Sequence, residues 1–170
     1  MQLKKALLYG LLGSFGIQPE PNQVAPERDL LPFAESTGHL VIAYSPLAQG
    51  LLSGRYDRDH RPANRLRAAN PLFLPENLDR AGDLIATVRE VADAHAATPA
   101  QIALAWVIRG PAVVAIPGAS SVSQLESNVA AADIELTEDE EAALHAAAVR
   151  FRPVSGPAVL PRLLRSRLGR

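Results

Sequence analysis

The sequence has no cysteine in its 170 residues, which removes disulfides and thiolate chemistry and leaves the redox compartment unmarked. It has no excess of either charge: 17 basic residues stand against 18 acidic ones, so nothing electrostatic favours nucleic acid or a charged membrane as a partner. It has no apolar run long enough to span a bilayer. The nearest candidate, Ala6 to Ile17 behind Lys4 and Lys5, is too short and runs into Gln18-Pro19-Glu20-Pro21 rather than a small-residue cleavage site. That segment reads as a terminal helix or buried strand sooner than as a targeting signal, so a cytoplasmic protein with no membrane and no nucleic-acid partner is the expectation. Short repeats, low-complexity segments, zinc spacing, a nucleophile elbow and a Walker-type phosphate loop are also missing.

What the chain does have is length and apolar content for one packed domain: 48% of its residues are apolar, enough to bury a core. Glu27 to Thr37 reads as a short helix, with Gly38 placed to take the left-handed position that ends it. Leu40 to Ala43 is a continuous apolar run, the pattern of a strand covered on both faces. After Gly54 come roughly 20 residues rich in Arg, Asp, Asn and Pro, a loop long enough to carry a function. Leu78, Ala81, Ile85, Val88 and Ala92 then recur at helical spacing, one apolar stripe on a surface helix. Thr98, Pro99 and Gln101 open the next helix as N-cap, first-turn proline and back-bonding residue, and Gly110-Pro111 stops it. Ala112 to Ile116 is a second apolar strand, ended by Pro117-Gly118. Ser121 with Gln124, and Thr137 with Glu140, open two more helices, the last running to about Val149. Apolar strands alternating with helices predict an α/β fold of parallel βαβ units.

In such folds ligands sit at the carboxyl ends of the strands. Both apolar runs end there in turn-forming sequence, Tyr44-Ser45-Pro46 on one and Pro117-Gly118-Ala119-Ser120 on the other. Gly118 lets backbone approach a ligand closely. Ser120, Ser121 and Ser123 surround a helix start whose free N–H groups favour an anion. Serines before a helix are more often plain caps, and spacing alone does not establish a phosphate site here. His60, within Asp57-Arg58-Asp59-His60-Arg61, reads as part of a solvated loop rather than as a metal ligand, and His39, His95 and His145 are scattered.

VIAYSPLAQGLLSGRY resembles the seventh strand and following loop of the aldo-keto reductases. The run from Thr98 to Leu144, TPAQIALAWVIRGPAVVAIPGASSVSQLESNVAAADIELTEDEEAAL, is similar to that family's seventh helix, eighth strand and eighth helix, in order and at the right spacing. Asn22-Gln23-Val24 resembles the end of the sixth strand. The resemblance implies a partial TIM (β/α)8 barrel, the last three βα units (strands 6 to 8), binding NADP, with NAD as the alternative. It implies roles too. Tyr44 would stack its ring on the nicotinamide and Gln23 would hydrogen-bond the carboxamide. Ser45, Leu47, Gln49 and Leu51 would line the pyrophosphate path, with the long loop folding over it. Gly118, Ala119 and Ser120 would meet the adenosine phosphate, with Gln124 and Asn128 beside the adenine. Family members that prefer NADP often carry Lys or Arg where this chain has Gly118 and Gln124, and a glutamate is common at the position of Ser127.

The family's catalytic aspartate, tyrosine, lysine and histidine come from the first half of the barrel, which has no match here, so no catalytic residue and no metal ligand is assigned. Lys4, Lys5 and Tyr9 lack the flanking sequence of any family motif, and the chain near Val24 to Glu27 looks several residues shorter than in family members. A third of a barrel would leave sheet edges and an apolar face open, expected to recruit a partner chain or a second copy. The sequence thus divides into an apolar segment 1–21, a barrel-like part 22–149 and an Arg-rich tail 150–170 expected to be solvated. Three readings follow. The chain is an oxidoreductase module binding NAD(P)H for hydride transfer to a small-molecule aldehyde or ketone once completed; a non-catalytic nucleotide-binding or interaction subunit; or an inactive truncated remnant.

Overall fold

The computed structural model describes residues 30–154. The segment 1–21, the Asn22–Val24 strand end with Gln23, and the tail beyond Val154 lie outside the described residues. In chain order the elements are α1 (Leu31–Thr37), β1 (Val41–Tyr44), a 3₁₀ segment (Ala48–Ser53), α2 (Arg65–Ala68), a 3₁₀ turn (Pro71–Phe73), α3 (Pro75–Arg80), α4 (Gly82–Ala94), α5 (Pro99–Ile108), β2 (Val113–Ile116), α6 (Val122–Ala130), a 3₁₀ turn (Ala131–Asp133) and α7 (Glu138–Arg150). Gly38 ends α1 in the left-handed conformation, φ 67°, which costs a residue without Cβ nothing.

The two strands pair in parallel, with Val41 opposite Val113 and Tyr44 opposite Ile116. Their inner face, Ala43 with Val113 and Ala115, packs on the helical core. The other face does not. Ile42 and Val114 are each 40% exposed and Ile116 is 55% exposed, so the expectation of strands covered on both faces is corrected. An unbroken apolar run says that both faces are apolar; it does not supply the layer that covers the second one.

The core is the helical layer behind the sheet. Six consecutive residues of α5, from Ile102 to Val107, are buried, so this helix is surrounded on all sides. Trp106 and the α4 residues Leu84, Ile85, Val88 and Ala92 pack with Leu144, Ala147 and Ala148 of α7, and α4 contacts both α5 and α7. Each of the larger aliphatic side chains contributes roughly 1.5–3 kcal/mol by leaving water, the alanines less. Thr98–Gln101 and Thr137–Glu140 form complete capping boxes. The stripe from Leu78 to Ala92 is buried as expected, but it is divided between α3 and α4 at Ala81, just before Gly82 weakens helix continuity.

One polar pair crosses this layer. His95 Nε2 lies 3.0 Å from both Glu140 carboxylate oxygens. The Thr137 backbone N–H, then the His95 ring and the Thr137 hydroxyl, hold the Glu140 carboxyl below the ordinary carboxylate value, against the opposing effect of burial. After α7, Phe151 is buried and the chain returns along α3 to Val154.

Candidate functional site

The carboxyl ends of β1 and β2 open on a cleft of about 1310 Å³, larger than the few hundred to 1,000 Å³ typical of small-ligand pockets. Its floor begins where β1 stops. Ser45 (φ 50°), Ala48 (φ 48°) and Gln49 (φ 57°) all adopt left-handed backbone, a conformation that strains residues with a Cβ. Gly50 follows at φ 99°, where a Cβ would come within 3.2 Å of the Tyr56 ring. Leu51 and Leu52, both fully buried, pin this bent segment to the core. Ser53 Oγ closes it by donating to Gly50 O at 2.6 Å.

The second wall comes from the end of β2 and the start of α6. Ser121 Oγ accepts the Gln124 backbone N–H at 3.1 Å. The Gln124 side chain reaches one residue further back, where its Oε1 accepts from Ser120 N at 2.8 Å and from Ser120 Oγ at 3.0 Å. The start of α5, Thr98, Pro99 and Ala100, faces the same cleft. Two helix N-termini thus present their positive ends to one space.

The outer wall is the long loop, through Arg55, Tyr56, Asn64, Arg67, Asn70 and Pro71. Arg67 Nη1 donates to Tyr56 Oη at 3.0 Å, and the Tyr56 ring meets Phe73 edge-on at 5.3 Å. Asn70 caps the Pro71–Phe73 turn by accepting from Leu72 N at 2.9 Å. Among the described residues no Asp or Glu lines the cleft. The neighbouring Asp57 turns its carboxylate on its own loop, accepting from the backbone N–H groups of Asp59 and His60 at 2.8 and 2.7 Å. The His60 backbone N–H and then its ring hold that carboxyl low. Among the described residues no cluster of His, Cys, Asp or Glu could hold a metal ion, and none of the four histidines lines the cleft.

Of the residues expected at a cofactor site, the cleft brings together Ser45, Leu47, Gln49, Gly118, Ser120, Gln124 and Asn128. Leu51 is in the core rather than on the wall. Ala119 lies outside the lining, and so does Tyr44, which stands at the strand tip on the same sheet face as Ile42. Gln23 is not among the described residues. Sequence reading missed Arg55, Tyr56, Asn64, Arg67 and Asn70, whose only signal was membership of an unusually long loop. The residues present suit a dinucleotide. Helix N-termini, two guanidinium groups and several hydroxyls suit phosphates, and Asn128 Nδ2 is a buried donor with no hydrogen-bond partner. Among the described residues no helix is long and apolar enough to cross a membrane.

Comparison with known proteins agrees with this geometry. The model of the Aldo/keto reductase family matches residues 2–148. Over 142 residues, 84% of this chain, the sequence is 57% identical to an uncharacterized oxidoreductase of Mycobacterium tuberculosis, of which the match covers 44%. It is 40% identical over 70% of the chain to an aldo-keto reductase of Strobilurus tenacellus, covering 36% of that protein. Among solved structures, a glycerol dehydrogenase of Gluconobacter oxydans superposes with a TM-score of 0.67 at 28% identity, over 79% of this chain and 42% of that one. A thermostable aldo-keto reductase in complex with the inhibitor epalrestat gives 0.51 at 31% identity, over 74% and 36%. The chain therefore spans less than half the length of the relatives it matches, and its two βα units are part of a TIM-barrel architecture. On this extent of match the chain belongs to the aldo/keto reductase family, an oxidoreductase family.

Proposed function

We propose that this chain forms the dinucleotide-binding part of a carbonyl reduction site, taking NADP(H), with NAD(H) as the alternative, and serving hydride transfer to an aldehyde or ketone. The observation that carries the reading is the cleft at the strand carboxyl ends, lined among the described residues by no carboxylate, onto which two helix N-termini, Arg55 and Arg67 converge. When bound, the nicotinamide supplies the hydride. This chain's own residues bind and orient. The backbone and hydroxyls at Ser45, Ser120 and Ser121 face phosphate oxygens, and Arg55 and Arg67 supply charge that Gly118 and Gln124 lack. Asn128 offers its unpaired donor to an adenine ring nitrogen. Tyr44, at the strand tip, stacks on the nicotinamide from the sheet face. No group on the cleft wall is assigned the proton donor's role.

Titrating the 170-residue chain with NADPH and with NADH, followed by calorimetry, tests this. Saturable binding that weakens with salt is the expected result. Absence of saturation at millimolar concentrations of either cofactor would remove the reading.

A second reading, an assembly subunit that holds cofactor without turnover, is favoured by a specific surface. Ile42, Val114 and Ile116 on the sheet, with Val122, Leu125 and Val129 along α6, are exposed apolar residues of the kind that polypeptide partners cover. Size-exclusion chromatography with light scattering distinguishes the two: a monodisperse oligomer supports the subunit, a well-behaved monomer counts against it.

A further inference from the structure

Among the described residues the interior contains one fully buried polar side chain, Asn77 in α3, with no exposed surface at all. A buried amide is tolerated only where its hydrogen bonds are made, and the partners of this one are far apart in sequence. Asn77 Nδ2 donates to Pro71 O at 2.8 Å and to Val154 O at 3.2 Å, while its Oδ1 accepts the Val154 backbone N–H at 2.7 Å. The pair of bonds to Val154 is the pattern by which one strand grips another, made here by a side chain. Pro71, the other partner residue, belongs to the outer wall of the cleft. The returning chain is held independently by Arg80 Nη1, which donates to Arg152 O at 2.8 Å, and by the buried Phe151 ring.

Beyond Pro71 the wall is anchored by packing, with Phe73 and Leu74 buried in the core; its other described polar ties are local. Asn70 caps the Pro71 turn locally, and Arg61 Nε donates to Phe73 O at 3.0 Å. Neither joins Pro71 itself to the body of the molecule. Asn77 does, and the same amide plane is fixed from its other side by residue 154. We infer that Asn77 is a positioning residue that couples the segment after α7 to the cleft wall, so that seating of residues 151–154 sets how long a dinucleotide stays bound. The coupling rests on the cofactor reading above for its functional consequence, but not for its mechanical one.

The test uses the full chain with two variants. Asn77→Ala removes all three bonds at their centre. Val154→Pro removes the tail's N–H, at a half-buried position outside the cleft lining. Ile85→Val, a small core deletion on α4, serves as a comparably destabilised control. Coupling predicts that NADPH dissociates about tenfold faster from both test variants, on the scale of one lost buried hydrogen bond, and at the parental rate from the control. It also predicts faster hydrogen exchange at the amides of Leu72, Phe73 and Leu74 in Val154→Pro, with no cofactor present. Unchanged exchange at those amides overturns the inference, as does parental dissociation from Val154→Pro. If the parental chain binds no cofactor while exchange still rises, the proposed function fails and the mechanical coupling stands. If Asn77→Ala does not fold, Val154→Pro decides alone.

Discussion

Helices α4, α5 and α7 are built from residues whose local preferences and buried contacts agree. Capping boxes start two of them, and apolar faces meet around Trp106. The cleft side is built from the opposite material. Three residues with side chains hold left-handed backbone within five positions, two helix N-termini face one space, and arginines gather without a carboxylate among them. A region arranged for its own stability resolves such conflicts; a region arranged for a polyanion retains them. The contrast assigns folding to the helices and leaves the loops as the side that carries the proposed site.

The largest break in that contrast should come from the back. Trp106→Ala deletes a side chain that is 1% exposed and is expected to cost about 3–5 kcal/mol in urea denaturation, abolishing cofactor binding only because the fold is lost. Next is the front. Arg55→Ala with Arg67→Ala should leave the melting transition nearly unmoved while NADPH affinity falls at least about tenfold and its salt dependence flattens. A loss of stability as large as the loss of affinity would blur the division between the two regions.

A smaller effect sharpens the description of the back. Glu140→Ala removes a capping-box carboxylate and its His95 contact, at an expected cost of about 1–2 kcal/mol near neutral pH. Because the folded Glu140 carboxyl is held below its ordinary value of 4.5, its contribution is fully present above that value and lost as pH falls through the lowered one. The gap between parent and variant should therefore close on acidification, read by thermal unfolding across pH 3–7. Smallest is Gln49→Gly, which relieves a left-handed residue on the exposed floor. It should raise stability by up to about 1 kcal/mol while weakening NADPH binding, opposite signs that only a strained binding loop would give.

Much of the back was legible. Thr98, Thr137 and Ser121 announced helix starts because a cap is a local matter of one side chain and the N–H groups beside it, and the Leu78-to-Ala92 stripe declared its buried face by period alone. Gly38 and Gly118 marked turns. The long loop was marked out in advance, but its wall residues were not legible, since Arg67, Asn70 and Tyr56 meet the cleft only after the loop folds back on Phe73, and nothing in their spacing encodes that return. The open sheet face was misread for a related reason: Ile42 and Val114 state their own polarity but not what lies against them. Asn77 was invisible, its partners lying six and 77 residues away.

The bond from Gln124 to Ser120 has a consequence for exchange. Two donors at the start of α6 are already satisfied by an amide oxygen, so an anion arriving there, as the proposed function requires, would trade one acceptor for another instead of filling a void. Such a trade returns little net free energy, yet it guards the corner while empty and lets the departing ligand be replaced at once by a side chain that never left. If the proposed cofactor site is right, that kind of doorkeeper favours ready release over a tighter grip.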